Sequence, residues 1–300
     1  MIVPALEEAG LLPSRVCGSS SGSIIAALYV RTPAHALQHL TVHFSLSCSL
    51  IRGAPQAGGL EPCTTLEALL LSLRVEDILL PLWSAPGPGA YRINTAFLEQ
   101  AAPAKRLEAG RLPVAVSTYD MWARRTVAHT AGPTAQVVAA SCAIPLIMQP
   151  VTLAGRTHVD GGVGDLLALA SCNPTERVLS IDLHTLGLMR GRQVHAALLG
   201  VRAPGAPLLG CTRLQLHGLP FVGPRTMGLR GAGAIAAGRA AMRAALATRG
   251  DWGGERVHVV KVPPGVVEAA VPGTVDVIQD AAPLVGGRGG ARKSHDMEQD

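Results

Sequence analysis

A chain of 300 residues that is 48% hydrophobic can bury one large α/β core or two small ones. Only 3% of it is aromatic, so Ala, Val and Leu must fill the interior, and a stacking platform for single-stranded nucleic acid is disfavoured. The net charge of +5 comes from 26 basic residues, all but three of them Arg, with no block of like charge to mark a nucleic-acid face.

That mild basic excess suits an ordinary solvated surface, and it also suits an enzyme working on anionic lipid. The six cysteines, at positions 17, 48, 63, 142, 172 and 211, have neither metal-ligand spacing nor the density of a disulfide scaffold. They read as reduced, small hydrophobes of a cytoplasmic protein. The N-terminus carries Glu7 and Glu8 and no basic start, unlike a secretory signal, and no apolar run reaches the length that spans a bilayer. Any membrane contact is expected to be peripheral.

Ile2 to Ala9 reads as the last two turns of a helix stopped by Gly10. An α/β domain rarely opens on so short a helix, so the domain, residues 1–284, is expected to be incomplete at its N-terminus. Next comes Arg15-Val16-Cys17-Gly18-Ser19-Ser20-Ser21-Gly22-Ser23, followed by the small and apolar run Ile24 to Leu28. Gly18-x-Ser20-x-Gly22 between a short extended stretch and a helix fits a nucleophile elbow, a tight turn that holds a serine hydroxyl exposed. Side chains at Gly18 or Gly22 would crowd that turn. Ser20 is the candidate nucleophile, and the Ser21 amide, at the positive end of the following helix, would face the charge that develops on an attacked carbonyl. Taken alone, the pattern fits a flexible Gly/Ser loop equally well.

His35 to Phe44 reads as a helix opened by Thr32-Pro33, residues 45–63 as loop, and Thr64 to Leu71 as a helix begun by a capping box. Trp83 to Gly89 is a turn cluster, Asn94 to Ala101 a short helix, and Leu112 to Thr118 a strand that Arg125 to His129 can pair with. Thr134 to Ser141 returns to helical spacing and stops before Ile144-Pro145. A strand at Arg177 to Leu183, a small-residue helix at Ala232 to Thr248 and a strand at Val257 to Val262 follow. This alternation predicts a mostly parallel, helix-covered sheet. Residues 285–300, polar and glycine-rich, read as a disordered tail.

A serine nucleophile needs a base, and Asp160 in His158-Val159-Asp160-Gly161-Gly162-Val163-Gly164 is the most suggestive acid. An aspartate ending an apolar run ahead of two glycines sits at a strand end where the backbone leaves room for a ligand. An ordinary Asp-Gly turn joining two strands has the same sequence. His158 reads as a packed or surface residue, because it has no metal-like spacing to other ligands.

Four motifs fall in one order: Leu6-Glu7-Glu8-Ala9-Gly10, Gly18 to Tyr29, Ser141-Cys142-Ala143-Ile144-Pro145, and Val159-Asp160-Gly161-Gly162. In this the chain resembles the patatin-like phospholipases, bacterial type, from the N-terminus to about Leu183. The resemblance implies a three-layer α/β/α fold with a mostly parallel central sheet. It implies a lipid acyl hydrolase with Ser20 as nucleophile and Asp160 as a direct base, forming an acyl-enzyme without metal or organic cofactor. The substrate would be a phospholipid or another acyl-ester lipid, with no role for nucleic acid.

Two departures stand beside the resemblance. The family's glycine-rich oxyanion loop precedes its first helix and is missing from this sequence, and Asp165-Leu166 replaces the usual polar-proline continuation. A catalytically impaired protein that binds lipid or a partner is therefore a second reading. A third is an α/β-hydrolase with a Ser-Asp-His triad, for which His184 is the candidate histidine. Gly231-Ala232-Gly233 lacks the remaining features of a phosphate loop, and helix packing explains it better.

Overall fold

Val16 to Ser20 are five consecutive buried residues, so the strand that carries them is covered on both faces. This strand, β1 (Arg15–Ser20), lies within a sheet, and α1 (Ser21–Leu28) leaves directly from its end. The computed structural model describes residues 5–6, 8–11, 13–29, 40–46, 79–82, 89, 91–102, 104–110, 112–172, 176–184, 211–217, 219, 227–247 and 256–261.

The other strands of the sheet are β2 (Leu40–Leu46), β5 (Val114–Asp120), β6 (Arg125–His129), β7 (Val151–Leu153), β8 (Arg156–Asp160), β9 (Arg177–His184), β10 (Cys211–His217) and β11 (Arg256–Lys261). A separate hairpin joins β3 (Leu79–Pro81) to β4 (Tyr91–Ile93). The sheet order is β11-β10-β9-β2-β1-β5-β8-β7, with β6 also on β5. From β11 across to β5 every pairing is parallel, and β6, β7 and β8 add an antiparallel side. The fold is α/β, and its mixed sheet places the antiparallel strands where the site forms.

Alternate residues of the central strands feed two different cores. Val16, Val114, Val116, Leu179, Ile181, Leu214 and Leu216 point to one face, where they pack with Ile24 and Ile25 of α1 and with Val138 of α3 (Thr134–Ser141). Leu98 of α2 (Thr95–Ala101) joins them, as do Ala241, Met242 and Ala245 of α4 (Met227–Ala247). Cys17 and Ala115 face the other way and meet Ala168. With almost no rings available, small residues serve the packing, and α4, which packs on β10 and β11, is rich in alanine.

Most of the expected elements lie where the sequence places them. Ala5, Leu6 and Glu8 are helical, and α2 is capped by the Asn94 side chain, which accepts from Phe97 N at 3.4 Å. α4 begins earlier than expected, at Met227. One expectation is overturned: in place of the helix His35 to Phe44, residues Leu40–Leu46 form strand β2, and with it the expected loop yields residues 45 and 46 to the strand. Leu40, Val42, Phe44 and Leu46 alternate with polar residues at period two, a strand pattern that parallel pairing with β1 and β9 on either side realises, and the helix expected to open at Thr32-Pro33 does not extend through it. The expected helix at 64–71 and the tail 285–300 lie outside the described residues, as does most of the Trp83 to Gly89 turn.

The first turn of α1 folds back over β1 at Gly18. A β-carbon there would lie 2.4 Å from Gly22 O and 2.6 Å from Ser23 N, both backbone atoms that cannot move without dismantling the turn. Gly18→Ala is expected to destabilise the protein by about 3 kcal/mol or more. Gly238→Ala in α4, where a β-carbon meets nothing within 4 Å, should instead stabilise by about 0.5–1 kcal/mol. Urea midpoints of the two variants check both signs.

Candidate active site

Ser20 occupies a backbone conformation that L-residues avoid, φ 56° and ψ −132°. Such a residue costs on the order of 1–3 kcal/mol and persists only when its surroundings over-determine it. Here they do. Ser20 N donates to Ser141 Oγ at 3.0 Å, while Ser20 O accepts from Ser23 Oγ at 2.6 Å and from Cys142 Sγ at 3.1 Å. Its own hydroxyl donates to Asp160 Oδ2 at 2.6 Å.

Asp160 comes from 140 residues further along the chain, and the sheet brings it there. β1 runs parallel to β5 and ends with Ser19 beside Ser117, whereas β8 runs antiparallel and ends with Asp160 beside Thr118. β6 occupies the opposite edge of β5 along this whole stretch. Strands β1 and β8 therefore share one edge of β5 and meet end to end, the serine at the tip of one and the aspartate at the tip of the other.

The aspartate is fixed as tightly as the serine. Its backbone N donates to Ala143 O at 2.9 Å, and its Oδ1 accepts from Gly162 N at 2.7 Å, which leaves Oδ2 to Ser20. Gly161 sits in the gap between the two strand ends, where a β-carbon would lie 2.1 Å from Ser117 O and 2.8 Å from Ser19 Oγ. Both groups of the pair are buried. The glycines read from the sequence thus have separate tasks: Gly18 lets the strand touch the backbone of Gly22 in the helix, Gly161 closes the junction, and the Gly162 amide holds the carboxylate.

Ser21, the first residue of α1, stands next to Ser20, so its amide belongs to the helix turn whose N–H groups have no intrahelical acceptor. Its hydroxyl is buried without a hydrogen-bond partner among the described residues.

The role of Ser141 was not read from the sequence, although the residue lies in a motif that was. Its hydroxyl accepts from Ser20 N and donates to Ser117 O at 2.7 Å, tying the Ser20 turn to β5. A serine closing a helix directly ahead of Cys142-Ala143-Ile144-Pro145 was the available signal. Asp165, where the sequence departs from the usual polar-proline continuation, is held by the turn that follows it. It accepts from Ala170 N at 2.7 Å and Leu169 N at 2.9 Å, and burial pushes its carboxyl above the usual range.

Beyond Ala143 the backbone presents an apolar ledge. Leu146, 64% exposed, holds a positive φ of 68°, and Ile147 is 47% exposed. Tyr91 lies alongside, its N donating to Ile147 O.

Two other histidines face the same side of the sheet as Asp160. Thr118 Oγ1 lies 2.8 Å from His129 Nε2 and 2.9 Å from His158 Nδ1, and its single hydrogen serves one ring while its lone pair serves the other. His158 is thus a packed residue. Burial, then the neighbouring His158, lowers the His129 pKa to about 4. Burial lowers that of His158 as well. His184 ends β9, separated from β1 by β2, so its backbone is about 10 Å from that of β1.

An α/β protein with a serine on a strained strand-to-helix turn, hydrogen-bonded to a strand-end aspartate, is the class that this fold and site define. The family model of the patatin-like phospholipases matches residues 2–170, and the chain belongs to that family. The family is broadly one of lipid acyl hydrolases and acts on lipid substrates. A comparison with curated proteins finds no match. The matched stretch contains Ser20 and Asp160, while β9, β10, β11 and α4 lie beyond it.

The neutral histidines predict a pH dependence. A histidine whose folded pKa lies below its unfolded value, about 6.5, binds its proton preferentially in the unfolded chain. The stability it contributes is complete above about pH 6.5 and is lost as the pH falls towards about 4, where His129 titrates. The melting temperature should therefore fall more steeply over that window for the wild type than for His129→Gln. Parallel curves would contradict the assignment.

Proposed function

We propose that this protein hydrolyses acyl esters of lipids, with Ser20 as nucleophile and Asp160 as the base that accepts its proton directly. The observation that carries this reading is the 2.6 Å hydrogen bond from Ser20 Oγ to Asp160 Oδ2 on a strained turn. Family membership supports the lipid class, and the exposed Leu146 and Ile147, just past the Ala143 carbonyl that accepts from Asp160 N, offer an acyl chain an apolar rest.

In this mechanism Ser20 Oγ attacks the ester carbonyl carbon while its proton passes to Asp160 Oδ2. The carbonyl oxygen becomes an oxyanion facing the Ser21 amide at the start of α1, a donor worth about 3 kcal/mol if it matches its counterparts elsewhere. Collapse breaks the carbon–oxygen bond to the alcohol, which leaves with the proton from Asp160. Water then attacks the acyl-serine, Asp160 takes the water's proton, and Ser20 recovers it as the fatty acid departs. The route needs no metal or organic cofactor.

A triad through His184 is less well supported, since the His184 backbone stands about 10 Å from β1 while Asp160 already holds the serine hydroxyl. His129 and His158 are both engaged by Thr118.

A fluorophosphonate, which labels only an activated serine, should modify Ser20, as peptide mapping would reveal. Ser20→Ala and Asp160→Asn should each lower ester hydrolysis by about a thousandfold or more, and His184→Ala should leave it intact. A folded chain that takes no label would favour the reading of a catalytically impaired, lipid-binding relative. Loss of activity in the His184 variant would favour the triad.

Ser141→Ala tests the support of the turn. Losing the acceptor for Ser20 N should lower kcat about tenfold with KM little changed, an effect of about 1.4 kcal/mol. Unchanged kcat would remove Ser141 from the machinery.

A further inference from the structure

We infer that the β5–β6 hairpin is the element that seats this protein on lipid surfaces bearing anionic headgroups. The inference rests on the proposed lipid hydrolysis, because it names the surface from which the site draws its substrate.

The hairpin turns through Met121, Trp122, Ala123 and Arg124 between the paired residues Asp120 and Arg125. Trp122 is 75% exposed, the most exposed of the large hydrophobics among the described residues, in a chain that has only three Trp, three Tyr and three Phe. Met121 beside it is 39% exposed. A large ring held in water is unfavourable, and here the chain spends a scarce one at a tip.

The backbone of the tip is held in place, so the residue that bears the indole has a fixed position. Asp120 Oδ1 accepts from Trp122 N and from Ala123 N, both at 2.9 Å, and these bonds hold its carboxyl below the usual range. Met121 N donates to Thr157 O, fastening the turn to β8.

Charge surrounds the ring with one sign. Arg124, Arg125 and Arg156 are all exposed, and Arg156 Nε lies 3.2 Å from Asp120 Oδ2. Asp120 is the one acidic residue in the hairpin and is itself buried, so the solvent-facing charge is basic. An indole flanked by guanidinium groups matches the interfacial zone of an anionic bilayer, where the ring settles among the headgroups and Arg pairs with phosphate.

The topology puts this tip on the substrate side. β5 passes Asp160 at Thr118 and continues to Asp120, so the turn projects about 10 Å beyond the Ser20–Asp160 pair, from the edge of the sheet at which β1 ends. Among the described residues no helix is long and apolar enough to cross a membrane, and a shallow anchor of this kind requires none.

The test is co-sedimentation of the full chain with phosphatidylcholine vesicles, with and without phosphatidylglycerol. The wild type should bind only the anionic vesicles, and less at high salt. Trp122→Ala should weaken binding about tenfold, and the double variant Arg124→Gln/Arg125→Gln about 30-fold, at about tenfold per 1.4 kcal/mol and about 1 kcal/mol per arginine. All of them should still hydrolyse a water-soluble p-nitrophenyl ester at the wild-type rate, and Ser20→Ala should bind vesicles normally. Wild-type-like vesicle binding by both hairpin variants, or no binding by the wild type, would overturn the inference. So would a change of oligomeric state in the variants on sedimentation velocity, which would mark the tip as a protein contact. Loss of ester hydrolysis without loss of vesicle binding would strike only at the catalytic reading.

Discussion

One edge of β5 serves two strands, and the site depends on that sharing. Because β1 arrives parallel and β8 antiparallel, their C-terminal ends face each other across the step from Ser117 to Thr118. No loop has to carry either partner into place. The junction also explains what surrounds it. Ser117 O, where β5 changes partner, accepts from Ser141 Oγ, and Gly161 fits there because a β-carbon would collide with that same carbonyl.

The strain at Ser20 is small beside what opposes it. A residue in its region of φ and ψ costs about 1–3 kcal/mol, whereas the bonds to Ser141, Ser23, Cys142 and Asp160 contribute about 0.5–1.5 kcal/mol each. Three of the four act on backbone atoms of Ser20, so removing the hydroxyl would leave the turn in place. The turn is thus a property of the scaffold, and the serine is presented by it.

What the sequence made legible follows from how far each signal reaches. The elbow was readable because strand, Gly18-x-Ser20-x-Gly22 and helix are contiguous. Asp160 was readable as a strand-end acid because two glycines follow it. α2, β5, β6 and α3 each carry their periodicity within a few residues. β2 was misread because the helix opening at Thr32-Pro33 was carried on through residues 40–44, whose period-two alternation of Leu40, Val42 and Phe44 is a strand signal that pairing with β1 and β9 realises. The end-to-end meeting of β1 and β8 has no local trace, since it joins residues 140 positions apart. Ser141 escaped for the same reason: its two partners, Ser20 N and Ser117 O, are distant in sequence.

The same geometry keeps the histidines His129 and His158 out of the contact between Ser20 and Asp160. An imidazole between Ser20 and Asp160 would need the two strand ends to stand apart by the width of a ring, yet Gly161 allows them to close to a 2.6 Å hydrogen bond. His129 and His158, on the same side of the sheet, are drawn instead to the Thr118 hydroxyl and kept neutral by burial. Two neutral rings there pack the antiparallel side without placing a cation near the carboxylate. The glycine that closes the junction and the threonine that occupies the histidines thus serve one end, a carboxylate in direct contact with the serine hydroxyl.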